Sequence, residues 1–152
     1  MNMLIAIARK LHRDERAATL VEFALIAPVL ITMMIGVLQV GTWVQSYNAV
    51  RNVVNDTTRF AMVEYQRGNK ISDEAIEDRA LEIAGSGKYN LDESLFVPDV
   101  TVKATEVAGI RQRRLVVTYT APEFMPVIGT LAPAISYGRD IYLYDQSATV
   151  AS

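Results

Sequence analysis

Few side chains in this chain have the type and spacing to do chemistry. Glu22 is the first. It stands at the head of a run with no charged side chain from residue 23 to residue 50. An ionised carboxylate inside a hydrocarbon core costs about 2.5 to 3.5 kcal/mol at mid-span unless it is paired or reaches out of the lipid. The chemistry open to Glu22 is therefore ion pairing at a membrane boundary, and the plain alternative is a carboxylate resting at headgroup depth. Asp73, Glu74, Glu77 and Asp78 offer oxygen ligands to a hard cation, but acids one turn apart are commoner on a solvated helix face, so no metal is expected. Gly85-Ser86-Gly87-Lys88 ends like a phosphate loop, yet the required earlier glycine falls on Glu82 and the required serine or threonine on Tyr89. That motif fails. Arg111, Arg113 and Arg114 read as a solvated strand end. In a chain of net charge -2 they are too short a run to bind nucleic acid. The single histidine is His12, and there is no cysteine, G-x-S-x-G, metal-ligand spacing or nucleotide loop. The expectation is a protein without catalysis, cofactor or small-molecule substrate.

The element that must position Glu22 is the apolar run itself. Residues 16–44 read RAATLVEFALIAPVLITMMIGVLQVGTWV, long enough as a helix for a hydrocarbon core, which takes about 20 apolar residues. Arg9, Lys10, Arg13 and Arg16 precede it against Asp14 and Glu15, so the positive-inside rule keeps the N-terminus cytoplasmic and exports the remainder. A cleaved secretory signal has an apolar core of about 7 to 15 residues and a small-x-small site. Here the run is far longer, and residues 41–47 offer no such site. Two choices remain: an uncut signal anchor, and a chain cut before the span on the cytoplasmic side.

At this point the residues carry a resemblance. A basic leader, the small residue Ala17, then Ala18-Thr19-Leu20-Val21-Glu22-Phe23 and an apolar helix resemble the class III signal of type IV pilin-like proteins. V-E-F-A-L-I-A-P-V-L at residues 21–30, followed by Gly36, is similar to the TadE-like family of minor pseudopilins from tight adherence (Tad/Flp) pilus systems. The resemblance implies cleavage between Ala17 and Ala18 by a prepilin peptidase. It also implies pairing of Glu22 with the amino group that the cut exposes on a neighbouring subunit's Ala18, within a recognition segment that includes Phe23 and Pro28. Ala17 departs from the pattern, in which glycine is the commoner residue before the cut.

Pro28 cannot donate its backbone hydrogen bond, so it should kink or locally loosen the helix, or be tolerated as prolines in membrane helices are. Thr32 and Gly36 form a small-xxx-small pair that lets another helix approach. Past Trp43, an interfacial anchor type, Tyr47, Val50, Val54, Thr57 and Ala61 recur at helical spacing with Val53 and Phe60 beside them. One helix is expected from near Ala18 to about Tyr65, with Arg67 in its last turn and Gly68-Asn69 ending it. Ser72 can cap a second helix that carries Asp73 and Glu74 in its first turn, buries Ile76, Ala80, Ile83 and Ala84, and closes at Gly85.

The remainder is strand-like: residues 99–106, 113–120 and 137–145, with Ala108-Gly109 as a turn. Pro122, Pro126 and Pro133 keep residues 121–134 from being a regular strand. The core-facing sets are Val100 and Val102; Leu115, Val117 and Tyr119; and Ile141 and Leu143. Val116 leaves the middle register open. Tyr142 and Tyr144 then face away from the helix, either as a partner surface or lying flat over the sheet.

Length and composition agree. Of 152 residues, about 100 remain after leader and span, enough for one small domain. A hydrophobic fraction of 51% is ordinary once a membrane segment is subtracted. The expected fold is α+β and pilin-like: a long N-terminal helix, a second short helix and a small three-stranded antiparallel sheet. The expected divisions are residues 1–17 as cytoplasmic leader, 18–44 as transmembrane and assembly helix, and 45–152 as exported domain. By its resemblance the chain is a minor pseudopilin of a Tad/Flp system, processed by prepilin peptidase and acting in pilus initiation or at the tip. It would have other pilins and pseudopilins as partners, and a place in the inner membrane or the pilus. The alternative is an uncut single-span accessory or scaffold of an envelope secretion machine.

Overall fold

In a computed structural model the chain is described at residues 15–105, 107, 109–122 and 134–144, with side chains from residue 18. The element order is helix α1 (Glu15–Gln66), helix α2 (Asp73–Gly85), a 3-10 turn (Glu93–Leu95) and strands β1 (Phe96–Lys103), β2 (Ile110–Tyr119) and β3 (Ile135–Tyr144). This is the α+β arrangement expected. The leader up to residue 14, and Glu106, Ala108, Pro126, Pro133 and Asp145, lie outside the described residues. The chain divides into two compact units, Met1–Gly41 and Thr42–Ser152.

In the first unit α1 carries the apolar run. It continues through Pro28 as α-helix; the local change is the donor that proline lacks. Thr32 Oγ1 donates to the Pro28 carbonyl at 2.8 Å, which satisfies the hydroxyl within the helix.

In the second unit the remainder of α1 turns amphipathic. Val50, Val53, Val54, Thr57, Thr58 and Ala61 are fully or almost fully buried, while Tyr47 and Phe60 are half-buried. Each fully buried aliphatic side chain contributes about 1.5 to 3 kcal/mol. Thr58, absent from the expected stripe, fits because its Oγ1 donates to the Val54 carbonyl at 2.7 Å. The end of α1 is set by Gly68 in the left-handed region at φ 81°. The Gly68 amide donates to the Tyr65 carbonyl at 3.0 Å and the Asn69 amide to the Glu64 carbonyl at 3.0 Å, the paired pattern of a Schellman end. Arg67 lies just past the last turn instead of within it, and its guanidinium pairs with the Glu64 side chain at 3.2 Å.

Ser72 caps α2 as expected, accepting from the Ala75 amide at 3.2 Å. Ile76, Ala80 and Ala84 are its buried face, with Ile83 only half-buried at the rim.

The sheet is antiparallel in the order β1-β2-β3. Its inward rows join Phe96, Tyr119 and Ile135; Pro98, Val117 and Tyr137; and Val100, Leu115 and Arg139. Leu115, Val117, Tyr119, Ile141 and Leu143 are buried as expected, which settles the middle register with Val116 outward. The sequence pattern misplaces β1. That strand begins at Phe96, three residues earlier than expected, so Phe96 fills the core. Val102 has inward parity but runs off the end of the packed face at 67% exposure. One continuous core includes Val50, Val53, Val54 and Ala61 of α1, Ile76 and Ala80 of α2, and the inward strand residues.

Candidate functional site

Among the described residues, most large apolar side chains from Leu20 to Val40 are exposed. Leu20, Phe23, Leu25, Met33 and Val37 are each well over half exposed. A window of 18 residues in this part of α1 reaches a mean hydropathy of 2.3, with none of it buried. A helix apolar all round and buried by nothing of its own requires an apolar surrounding, and its length suffices to cross a membrane.

The residues singled out in the sequence fall along it in order. Ala17 and Ala18 lie near the start of α1, and Glu22 follows Ala18 by about one turn and is exposed. Phe23 and Pro28 are exposed beyond it. Thr32 and Gly36 share one side of α1, and a Cβ added at Gly36 would meet nothing within 4 Å. This leaves room for close approach of another helix.

In the second unit, side chains that sequence reasoning treated as solvated have defined partners. Asp73 pairs with Arg113 at 2.6 Å, so Arg113 is no solvated strand end. It extends from the inner face of β2 to the first turn of α2. Glu77 accepts the Val100 amide at 2.8 Å. The two acids are thus committed to different strands. Among the described residues no three His, Cys, Asp or Glu side chains gather as a metal would require. Arg114 pairs with Asp140 across the outer face at 3.1 Å, lying over Gly138, where an added Cβ would come within 3.3 Å of the guanidinium.

Lys88 and Tyr89, in the loop after α2, both donate to Asp56 Oδ2, at 3.0 and 2.7 Å. The Tyr89 hydrogen bond first, and that of Lys88 next, hold the Asp56 carboxyl below its ordinary value. The Lys88 ammonium is raised, by its hydrogen bond with Tyr89 first and by that with Asp56 next. The Arg79 guanidinium lies 5.0 Å from the Phe60 ring centre, beside a cleft of about 570 Å³ between α1 and α2. Its cations face Asp56, Glu64 and Glu82, which pair with Lys88, Arg67 and Arg79. It is a salt-bridged seam. Trp43 stacks on Tyr47 at 6.0 Å, and Tyr47 meets Tyr137 of β3 edge-on at 6.2 Å. Tyr142 and Tyr144 are exposed on the outer face.

The partnerships of Asp73 with Arg113, Glu77 with Val100, Lys88 and Tyr89 with Asp56, and Arg114 with Asp140 were not legible in sequence order, because each joins residues from different elements. The one available signal was the excess of charged side chains at inward or half-buried parity, such as Arg113.

No curated protein and no solved structure matches the chain. A family model described as TadE-like protein matches residues 17–59. That stretch begins at Ala17 and covers the exposed apolar segment and the first buried turns of the second unit. Over residues 17–59 the chain is thus similar to the TadE-like family, the family that residues 21–30 and Gly36 resemble.

Proposed function

We propose that the chain is a minor pseudopilin of a Tad/Flp pilus assembly system. A prepilin peptidase cuts between Ala17 and Ala18, and the product serves as a structural, non-catalytic initiation or tip component. The observation that carries this reading is the exposed apolar segment of α1, similar to the TadE-like family, in which Glu22 is the one carboxylate between residues 18 and 50 and follows Ala18 by four residues.

Cleavage would create an ammonium on Ala18. A carboxylate in an apolar surrounding is stabilised chiefly by a partner charge, and the Ala18 amine of a neighbouring pilin-like helix supplies one. The basic residues Arg9, Lys10, Arg13 and Arg16 hold the leader on the cytoplasmic side. The second unit is then exported, with the protein in the inner membrane or incorporated in the pilus. Its role is to present a folded domain at the end of a helix that packs among other pilin helices, with Thr32 and Gly36 on a side open to close approach.

Intact mass of the chain from cells with and without the peptidase tests processing. The expected result is loss of residues 1–17 only where the peptidase is present. A full-length chain in both would refute it and leave an uncut single-span accessory protein. Glu22→Gln is expected to insert and be cut normally but not to be recovered with pilin partners. Normal recovery would reduce Glu22 to a carboxylate at headgroup depth.

A further inference from the structure

Charge in the second unit is sorted by distance from Thr42. Along α1 no charged side chain occurs between Thr42 and Arg51. Thr42, Gln45 and Ser46 line a cleft of about 120 Å³ with Asn90, Tyr119 and Pro122, and none of its lining residues is charged. Lys88, close by in sequence, turns instead to Asp56 at 3.0 Å. Tyr119 also belongs to the first row of the sheet, Phe96–Tyr119–Ile135. Counted from that row, the first charged residues of β1, β2 and β3 are Asp99, Arg114 and Arg139, so three successive rows carry none. Further along α1 the pattern reverses: the larger cleft of about 570 Å³ is lined by Asp56, Glu64, Arg67 and other charges. The exceptions at the Thr42 end are Asp92 and Glu93, in the turn before β1, the strand farthest from β3. The same end carries the stack Trp43–Tyr47–Tyr137, whose rings are half-buried.

We propose that this end of the second unit is a membrane-interfacial surface. The Trp43, Tyr47 and Tyr137 rings lie at headgroup depth, and the uncharged strand ends rest on lipid of the bilayer that holds the apolar run. The inference rests on the membrane reading of the proposed function. Lipid is selected as the occupant on three grounds. Counted from Phe23, the roughly 20 residues that a hydrocarbon core requires end near Thr42. The second unit begins at Thr42, so no residues remain for a stalk between the hydrocarbon core and the domain. Tryptophan and tyrosine, with an apolar body and a polar tip, are the ring types that collect at the membrane–water boundary. Gln45, Ser46 and Asn90 can hydrogen-bond to headgroup oxygens without the desolvation cost that a charge would bring. A domain with water on every side has no physical cause to clear charge from one end alone. Asp92 and Glu93 turn the β1 side away from the lipid, so contact is made on the side of α1 and β3.

The chain has no cysteine and one tryptophan. S136C and P122C each give a single thiol at an exposed position of the Thr42 end. Y144C gives a control about 27 Å further along β3 than residue 136. Full-length chains carrying bimane on the thiol are reconstituted in phosphatidylcholine vesicles that contain a headgroup-nitroxide lipid. Bimane at positions 122 and 136 is expected to be quenched as strongly as Trp43 in the unlabelled chain, with position 144 unquenched. Should P122C fail to fold, S136C decides alone. Weak quenching at 122, 136 and 144 alike, beside strong quenching of Trp43, would mean a domain held off the bilayer; it overturns the proposal while the span stands. Shielding at 136 that grows with protein density and not with nitroxide lipid would mark a second copy of the chain on this surface, and overturns it too. An unquenched Trp43 together with release of the chain by alkaline carbonate is the separate failure of the membrane reading, and the proposal falls with it.

Discussion

Removing either member of the Arg113–Asp73 pair tests whether burial, and not ion pairing as such, sets the value of a charge contact in this domain. The two groups meet at 2.6 Å with side-chain exposures of 15% and 31%, whereas Arg114–Asp140 on the outer face meets at 3.1 Å with 39% and 29%. Breaking a fully buried pair costs about 3 to 5 kcal/mol, and exposed pairs are worth about 0 to 1. Arg113–Asp73 lies between these limits, and we expect a coupling of about 1 to 2 kcal/mol. Arg113→Met keeps the apolar stem and removes the charge. Asp73→Asn removes the counter-charge together with an acid in the first turn of α2, worth a further ~0.3 to 1 kcal/mol. For a domain of about 100 residues each kcal/mol shifts the Tm by about 4 to 5 °C. Asp73→Asn should therefore lower it by roughly 5 to 15 °C, and the double variant should recover part of the sum. The assay is thermal unfolding of the full chain in detergent, followed by far-ultraviolet circular dichroism, for both pairs as double-mutant cycles. A coupling for Arg113–Asp73 below about 0.5 kcal/mol, or one equal to that of Arg114–Asp140, refutes the reasoning.

Leu115→Ala empties a fully buried site and should destabilise the domain by about 2 to 5 kcal/mol. In the same melts Val102→Ala should stay within about 0.5 kcal/mol, because its side chain is exposed. Asp56 has a folded-state pKa below its unfolded one, so its contribution is present above the ordinary carboxylate pKa and disappears as pH falls through the lower folded value. Tyr89→Phe removes the largest cause of that shift, and acid titrations of stability should show a smaller loss below about pH 4 in the variant. Gly68→Ala places a side chain at φ 81° and should cost about 1 kcal/mol, read as a lower unfolding midpoint in urea.

Local rules settled most of the elements. The periodicity shift near Trp43 marked where an all-apolar helix becomes amphipathic, Ser72 fixed the start of α2, and Gly68 fixed the end of α1, because caps and positive φ act within a few residues. The alternation Leu115, Val117, Tyr119 and Ile141, Leu143 identified inward faces from period two alone. The segment around Glu22 was legible for the same reason: charge placement in an apolar run is a property of neighbouring residues. The start of β1 was not local. Phe96 enters the strand because it pairs with Tyr119 and finds space in the core, while Val102, equally apolar, stays exposed because the packed face ends before it. Only the tertiary structure brought Asp73 to Arg113, Lys88 and Tyr89 to Asp56, and Glu77 to the Val100 amide. Each contact closes a loop of more than twenty residues, and its geometry depends on how α1, α2 and the sheet share one core. The same packing set Glu77 on the outer edge of β1, a placement written in no stretch of sequence by itself, since strand order and ladder parity exist only after the strands have paired.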